Sequence, residues 1–178
     1  EGTRALPWDA FIGKNDAFPV KGHSIKSRLT SIPDCQSIVK KAIVTSLGHV
    51  YGMTLFPETG VKYQVEFFLL GDEATLMIDT SGVPLHKRGY RPESNAAPIR
   101  ETIAAAIAAI SRPREEVLFW DPMCGSGTIA VEAAMQMNHI APGKRRAFAA
   151  EAFPFIGEET FRRAREEAEE GETRSPFE

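Results

Sequence analysis

Residues 119–130 decide the fold, and they read Phe119-Trp120-Asp121-Pro122-Met123-Cys124-Gly125-Ser126-Gly127-Thr128-Ile129-Ala130. The run 117–120 is wholly apolar, which is typical of a parallel strand that is covered on both faces. A helical pattern begins at about Thr128, directly after the glycine-rich turn. Because ligands of open α/β sheets bind outside the carboxyl ends of the strands, this order predicts an α/β domain with a ligand site at residues 121–128.

The residue types in this turn favour a ligand that carries both an anionic and a cationic or hydroxyl group. Gly125 and Gly127 tolerate positive φ and let the backbone approach a ligand closely. The start of the following helix offers unpaired N–H groups and the positive end of the helix dipole, which suit a carboxylate or a phosphate. Asp121, at the predicted end of the strand, is placed to accept from a cation or a hydroxyl group of the same ligand.

Three ligand classes are weighed for this turn: a dinucleotide, a phosphate held by a P-loop, and S-adenosylmethionine. Gly125-x-Gly127-x-x-Ala130 formally matches the dinucleotide fingerprint, with Glu151 as the acid that this fingerprint requires further along. Asp121 argues against a dinucleotide, because it puts a negative charge where a pyrophosphate comes close. S-adenosylmethionine fits better, since its ammonium matches Asp121 and its carboxylate matches the turn amides. A nicotinamide-dependent oxidoreductase and a turn without any ligand stay open as alternatives, whereas a P-loop is excluded by its missing motif.

The composition is that of an ordinary globular protein, with 178 residues, 43% of them hydrophobic and 25% charged. Only Cys35 and Cys124 are present, so no disulfide framework is predicted and a cytoplasmic, reducing compartment fits best. No apolar run approaches the ~18 residues that a membrane span needs. The histidines are scattered away from ligand spacing, so we expect no metal site. The chain does not begin with Met, and we expect a piece of a longer protein.

The net charge of −3 hides an asymmetry between the two parts of the chain. Residues 1–100 hold 12 Lys and Arg against 10 Asp and Glu, a net charge of +2, whereas residues 101–178 hold 9 against 14, a net charge of −5. A mildly acidic protein can therefore present a local basic face to phosphate groups. A solvated surface without a partner is the alternative interpretation.

The first part of the chain predicts a strand, a helix and a hairpin. Residues 17–27 alternate loosely and contain Pro and Gly, which is typical of a strand near a sheet edge. Apolar residues at helical spacing predict a helix over 31–50. Two β-rich runs, 61–70 and 74–80, are joined by Gly71-Asp72-Glu73, and this predicts a β-hairpin.

A break at Gly82-Val83-Pro84 predicts a domain boundary, and helices dominate beyond it. The first of these helices is predicted to open at Pro98 and to end before Arg112-Pro113, because Pro disfavours helix for the preceding residue. The predicted helices cover 98–111, 128–139 and 158–170, and the last should face solvent with Glu158 paired to Arg162 and Glu159 paired to Arg163.

Three ordered segments together resemble a known enzyme family. Asp-Pro-Met-Cys-Gly-Ser-Gly-Thr at 121–128 resembles the first motif of class I S-adenosylmethionine-dependent methyltransferases that act on exocyclic amines of nucleic-acid bases. With the segments at 85–91 and 97–104, it resembles the THUMP-domain-containing large-subunit rRNA guanine-N2 methyltransferases of bacteria. The resemblance implies an α/β fold in two parts: a partial THUMP domain for RNA binding at 1–82, and the first part of a Rossmann-like methyltransferase domain at 83–178.

The resemblance also implies which residues hold S-adenosylmethionine. Pro98 and Thr102 would line the pocket near the methionine end, and Cys124 would shape the turn without acting as a nucleophile. The acid that holds the ribose lies on the next strand in this family, so Glu151 loses that role. The implied wall of the pocket consists of Asp121, Pro122, Cys124, Gly125, Ser126, Gly127 and Thr128.

RNA is the partner that the resemblance implies, with 23S rRNA favoured over tRNA. Lys26 and Arg28 are the candidates on the THUMP side. In the segment between the two parts, basic side chains suit phosphate and an aromatic ring suits stacking on a base, although the same residues could form an interdomain joint. The candidates in this segment are His86, Lys87, Arg88, Tyr90 and Arg91.

The family's Asn-Pro-Pro-Tyr-type segment, which grips the target amine, does not occur in these 178 residues. A guanine N2 is a poor nucleophile because its lone pair is delocalised into the ring, so positioning of this amine carries much of the catalysis. We therefore expect that this chain alone transfers no methyl group. The alternatives are a tRNA guanine-N2 methyltransferase and a non-catalytic RNA-binding module that keeps the cofactor turn.

Overall fold

The computed structural model describes residues 1–90, 98–114 and 116–173. The chain divides into two compact units. The first unit spans Glu1–Gly82 and also includes Ala152–Phe155, and the second spans Val83–Glu151 and the chain from Ile156 onward. Arg91, which was predicted to contact RNA, lies outside the described residues.

The first unit is built on a three-stranded sheet. Strands β1 (Val20–Ile25), β2 (Val65–Leu70) and β3 (Glu73–Ile78) lie in the order β1-β2-β3. β1 pairs in parallel with β2, and β2 pairs antiparallel with β3. The prediction of a strand near a sheet edge is confirmed, because β1 lies at the end of the strand order and, in the part of the chain that the structure describes, pairs with β2 alone.

The hairpin between β2 and β3 is confirmed and turns through two residues, Gly71 and Asp72. Both have positive φ, 56° and 68°, as a type I′ turn requires. The carboxylate of Asp72 accepts from the backbone amide of Arg28 at 2.7 Å, from Ser27 Oγ at 2.7 Å and from Arg28 Nε at 2.8 Å. These hydrogen bonds lower the pKa of Asp72, the Arg28 amide contributing most.

Helix α1 (Ile32–Tyr51) packs against this sheet and confirms the helix predicted over 31–50. A Pro in its first turn suits the helix start, where a backbone N–H has no partner to lose. Gly52 ends the helix in the left-handed conformation, with φ of 65°. The core of the unit consists of large apolar side chains from its helices, strands and loops: Trp8, Ile12, Phe18, Ile43, Leu47, Phe56, Tyr63, Val65, Phe67, Leu69 and Phe153.

The described part of the second unit contains α-helices α2 (Glu101–Ser111), α3 (Thr128–Met137) and α4 (Glu158–Glu170). A short 3-10 helix, Ala149–Ala152, ends on the first residue of the segment Ala152–Phe155, which belongs to the first unit. α2 and α3 pack together through small residues, among them Ala104, Ala108 and Ala133, which are fully buried. Gln136 Nε2 donates to the backbone oxygen of Ala105 at 2.8 Å and ties the two helices together. α2 begins three residues later than predicted, and α3 ends two residues earlier.

Two predictions for the second unit are wrong. The run 117–120 is not a strand, and its side chains are exposed, Leu118 to 89% and Trp120 to 78%. A parallel strand is stabilised by neighbouring strands, and none of the described residues pairs with this run. In α4, which does face solvent, Arg162 pairs with Glu159 and Glu166 instead of with Glu158.

Candidate functional site

The turn at 121–128 is open and tightly bent. Gly125 and Gly127 have φ of 53° and 72°, which non-glycine residues adopt only at a cost. The Gly127 amide donates to the Cys124 oxygen at 2.7 Å and closes the bend. A Cβ built on either glycine meets no atom within 4 Å, so the glycines serve the backbone conformation, and the space beside them is free for a ligand.

Asp121 stands at the entrance to this turn with one oxygen satisfied. Its Oδ1 accepts from the Met123 amide at 3.0 Å, which fixes the carboxylate relative to the bend. Its Oδ2 is buried and has no hydrogen-bond partner among the described residues. A buried acceptor without a partner costs free energy, so this oxygen has the properties of a group that waits for a donor from a ligand.

The turn also offers donors. In the described part of the chain, the amides of Gly125 and Ser126 donate to no protein acceptor. Helix α3 begins two residues further on, with Gly127 as its N-cap residue, and adds the positive end of its dipole. Ser126 Oγ and Thr128 Oγ1 lie 3.1 Å apart. An anionic group on a ligand can therefore meet main-chain donors within the same bend whose entrance holds Asp121.

The other predicted cofactor residues lie at two places. Pro122 and Cys124 are exposed on the turn itself, and Cys124 touches the Gly125 oxygen only weakly, at 3.9 Å. Thr102 is exposed in the first turn of α2. Pro98 lines a cavity at the start of α2, and none of the residues 121–128 lines that cavity.

A buried carboxylate on α3 binds the segment that leads into the second unit. Glu132 is 1% exposed. Its Oε2 lies 3.1 Å from Arg88 Nη1, and its Oε1 accepts from the Tyr90 hydroxyl at 2.7 Å. Arg88 and Tyr90 were predicted to contact RNA or to form an interdomain joint, and in the structure both side chains bind Glu132 within the second unit.

The sequence did not single out Glu132, although a signal was present. It is the only charged residue in α3, whose sequence is Thr-Ile-Ala-Val-Glu-Ala-Ala-Met-Gln-Met. A lone charge in an apolar helix indicates either exposure on one face or a buried pair. The two residues that bury it lie more than 40 positions earlier in the chain, and spacing alone cannot connect them.

Arg146 is a second missed residue. It belongs to the basic run 144–146, and its side chain is buried. Arg146 donates to the backbone oxygens of Val83 and Pro84, the latter at 3.1 Å, and its guanidinium lies 4.8 Å from the centre of the Phe148 ring. It therefore fixes the beginning of the same segment that Glu132 holds further along.

The side chains of the remaining predicted RNA residues differ in their exposure to solvent. Lys26 is exposed, with φ of 51°. Arg28 is bound to Asp72 but keeps 90% of its side chain exposed. His86 is half-buried and Lys87 is exposed, and both line the cavity that Pro98 borders.

Glu151, the acid that a dinucleotide site would use, has a local structural role. Its Oε1 accepts from Arg165 Nη2 at 2.6 Å and from the Phe148 amide at 2.8 Å. The hydrogen bond from Arg165 lowers the pKa of Glu151 more than any other contact. Among the described residues, no group of three His, Cys, Asp or Glu side chains could hold a metal ion, and no helix is long and apolar enough to cross a bilayer.

Two sequence families match the chain. Residues 1–79 match the THUMP domain. Residues 88–176 match a family described as "RMKL-like, methyltransferase domain".

Curated relatives agree with these matches. YpsC of Bacillus subtilis (strain 168), provisionally named an RNA methyltransferase, is 49% identical over 96% of this chain and 45% of its own length. The ribosomal RNA large subunit methyltransferase K/L of Psychromonas ingrahamii is 46% identical over 82% of this chain and 19% of its own length. The chain thus spans less than half the length of either relative.

Solved structures give the same picture. SMU.472, provisionally named a methyltransferase and solved in complex with SAH, superposes with a TM-score of 0.89 at 44% identity, over 96% of this chain and 46% of its own. A protein of Listeria monocytogenes str. 4b F2365, named "a predicted N6-adenine-specific DNA methylase", gives a TM-score of 0.90 at 46% identity, over 96% of this chain and 45% of its own.

Proposed function

Because the chain belongs to the RMKL-like methyltransferase family and carries a THUMP domain, we propose that it forms the RNA-binding and cofactor-binding parts of an S-adenosylmethionine-dependent RNA methyltransferase. The proposed reaction is methylation of a guanine N2 in 23S rRNA. The proposed division of labour assigns RNA binding to residues 1–82 and cofactor binding to residues 83–178. The relative that is named a large-subunit rRNA methyltransferase favours rRNA over tRNA.

The observation that carries the cofactor proposal is the buried Oδ2 of Asp121, which has no partner among the described residues, beside an open turn with free amides. Asp121 would accept a hydrogen bond from the ammonium group of the methionine part of S-adenosylmethionine. The amides of Gly125 and Ser126 would donate to the carboxylate of the same cofactor. When bound, the cofactor supplies an electrophilic methyl group on a sulfonium. The remaining proposed contacts are the backbone of Pro122, Cys124, Gly127 and Thr128, with Pro98 and Thr102 towards the methionine end.

Calorimetric titration with S-adenosylhomocysteine tests the cofactor site. We expect saturable binding by the 178-residue chain and a loss of at least about tenfold in Asp121→Asn, since a charge-assisted hydrogen bond contributes about 1.5–3 kcal/mol. Asn keeps an oxygen acceptor for the Met123 amide, but it removes the charge and replaces Oδ2 by an NH2 group, which cannot accept. Asp34→Asn, which changes an exposed carboxylate in the first turn of α1, is the matched control. Equal affinity in both variants would refute the proposed site.

The substrate is tested in cells that make the protein. Deletion of its gene should remove N2-methylguanosine from 23S rRNA, quantified by mass spectrometry of digested, separately purified 23S rRNA and tRNA. Loss from tRNA alone would favour the tRNA enzyme. Loss from neither RNA would contradict guanine-N2 methylation.

The purified 178-residue chain is proposed to bind both the cofactor and RNA without transferring a methyl group. Incubation with labelled S-adenosylmethionine and unmodified 23S rRNA should leave no label in the RNA. Measurable transfer would refute this part of the proposal. Binding of RNA without binding of S-adenosylhomocysteine would instead favour a non-catalytic RNA-binding module.

A further inference from the structure

A cavity of about 610 Å³ opens in the second unit, between the segment that Glu132 and Arg146 hold and the first turn of α2. His86, Lys87 and Gly89 contribute one wall, and Pro98 and Arg100 contribute another. Its volume exceeds that of a side chain, and the cavity is open to solvent, so a group of a larger ligand can enter it. Of the residues proposed above to contact the cofactor, Pro98 alone lines this cavity.

The charge of the cavity is predominantly positive. Lys87 and Arg100 are exposed at its rim, and His86 is half-buried in its wall. In the described part of the chain, neither Lys87 nor Arg100 forms an ion pair or a hydrogen bond through its side chain. The lining includes a single carboxylate, that of Glu101. A concave surface with cations that are not neutralised attracts an anion.

The wall that carries Lys87 is held on both sides. Arg146 binds the oxygens of Val83 and Pro84, ahead of Lys87 in the chain. Glu132 binds Arg88 and Tyr90, which follow it. The backbone of Lys87 is therefore fixed without using its own side chain. Fixing a binding segment in advance reduces the entropy lost on binding.

We infer that this cavity binds a phosphodiester group of the RNA substrate, between Lys87 and Arg100. The inference rests on the proposed function and adds to it a position for the RNA backbone on the methyltransferase part of the chain. A phosphate is favoured over the cofactor carboxylate because residues 121–128 do not line the cavity. Arg100 thereby becomes a residue for RNA recognition.

Fluorescence anisotropy with a labelled, single-stranded RNA 12-mer tests the assignment on the 178-residue chain. Lys87→Ala and Arg100→Ala should each weaken binding by about tenfold, as expected for one lost charge-assisted hydrogen bond. Each should also reduce the slope of log K against log [KCl] by up to about 0.7, the value for one phosphate of a single strand. Arg163→Ala, which removes an exposed cation of α4 that does not line the cavity, should change neither quantity.

The double variant sharpens the assignment. If Lys87 and Arg100 share one phosphate, their combined effect is smaller than the product of the single effects. A full product would refute the shared phosphate. Both side chains are exposed, so the variants should keep the far-UV circular dichroism of the parent.

A parallel calorimetric titration with S-adenosylhomocysteine separates this inference from the proposed function. Unchanged cofactor affinity with weakened RNA binding supports the phosphate site. Weakened cofactor affinity with unchanged RNA binding would assign the cavity to the cofactor and overturn it. RNA binding by the parent chain that neither variant weakens would overturn the cavity alone. If the parent chain binds no RNA, the inference and the RNA part of the proposed function both fail.

Discussion

The two units are stabilised in different ways. The first buries large apolar side chains from its sheet and helix, such as Phe18, Leu47 and Phe67. In the described part of the second, the buried residues are alanines together with Thr128, Glu132 and Arg146. Large apolar side chains of the second unit, such as Leu118, lie on its surface.

This difference shows where each unit obtains its order. Burial of apolar area stabilises the first unit, by about 25 cal/mol per Å². In the second unit, hydrogen bonds from Arg146 and to Glu132 fix the chain around α3. A buried polar group that loses its partner costs free energy. We therefore expect the stability of the second unit to fall when its buried polar residues are replaced, and to change little when residues 117–120 are replaced.

The largest effect is expected from Phe67→Ala in the first unit. Phe67 is 2% exposed on β2, and truncation of a buried Phe costs about 4 kcal/mol through lost burial and a cavity. Trp8, which is buried in the same unit, reports the transition in urea by its fluorescence. Trp120 is replaced by Phe in the parent and in the variant, so that its signal does not interfere.

Leu118→Ala is the matched truncation in the second unit. Its side chain is 89% exposed, so the free energy of unfolding should change by no more than about 0.5 kcal/mol. Equal losses in the two variants would contradict the contrast between the units. It would mean that the run 117–120 is buried in solution.

The sequence predicts the first unit better than the second, and the reason is physical. α1 and the β2–β3 hairpin follow from local patterns: helical spacing of apolar residues, and a Gly-Asp turn between β-rich runs. The run 117–120 has the composition of a buried strand, but a strand also needs neighbours, which composition cannot supply. The tight turn at Gly125 and Gly127 could be predicted, because glycine is the residue that adopts positive φ without a steric cost and both residues have positive φ.

The polar contacts around α3 could not be predicted. Glu132 depends on Arg88 and Tyr90, and Arg146 depends on two backbone oxygens more than 60 positions earlier. Side-chain pairs at such separations leave no periodic pattern in the sequence. In α4 the spacing rule does not select the partner, because Arg162 has carboxylates at several allowed spacings and pairs with Glu159 at i,i+3 and Glu166 at i,i+4.

The second-largest effect is expected from Glu132→Ala, at about 3 kcal/mol. The variant leaves Arg88, whose side chain is 12% exposed, without its buried counter-charge, and breaking a buried pair from one side is strongly destabilising. The amides of α3 should exchange hydrogen faster, as measured by mass spectrometry. The midpoint of urea unfolding, measured by circular dichroism, should shift to a lower urea concentration.

Two further variants separate charge from packing at this site. The double variant Arg88→Met with Glu132→Met removes both charges and should recover most of the loss, because apolar replacement of a buried pair is often neutral. Tyr90→Phe should cost only about 1 kcal/mol, the contribution of one neutral hydrogen bond. If the double variant is as unstable as Glu132→Ala, packing rather than charge holds the site.

A smaller effect is expected at Gly127. Its φ of 72° costs Ala about 1–2 kcal/mol, whereas Asn adopts this conformation more readily. Gly127→Ala should therefore lower stability more than Gly127→Asn. Both side chains enter the open space of the turn, and both should weaken S-adenosylhomocysteine binding. Retained affinity in Gly127→Asn would place the ligand elsewhere.

A small, pH-dependent effect is expected from Asp72→Asn in the hairpin of the first unit. Its contacts with Arg28 and Ser27 lower the pKa of Asp72 in the folded chain, so the ionised form stabilises the fold above the unfolded pKa. This contribution disappears as the pH falls through the lowered folded pKa. Asn keeps the turn conformation. Asp72→Asn should therefore lower the stability only at pH values at which Asp72 of the parent is ionised, neutral pH among them.

Thermal unfolding of the parent and of Asp72→Asn, measured from neutral to strongly acidic pH, checks this sign. The melting temperatures should differ at pH 7 and converge at the acid end, because protonation gives the parent the same loss of charge. Lys21 and Glu66 also form an ion pair in this unit. The parent and Asp72→Asn both retain this pair, so it does not contribute to the difference between their melting temperatures. A gap that persists in acid would show that the hydrogen-bond geometry of Asp72, rather than its charge, stabilises the hairpin.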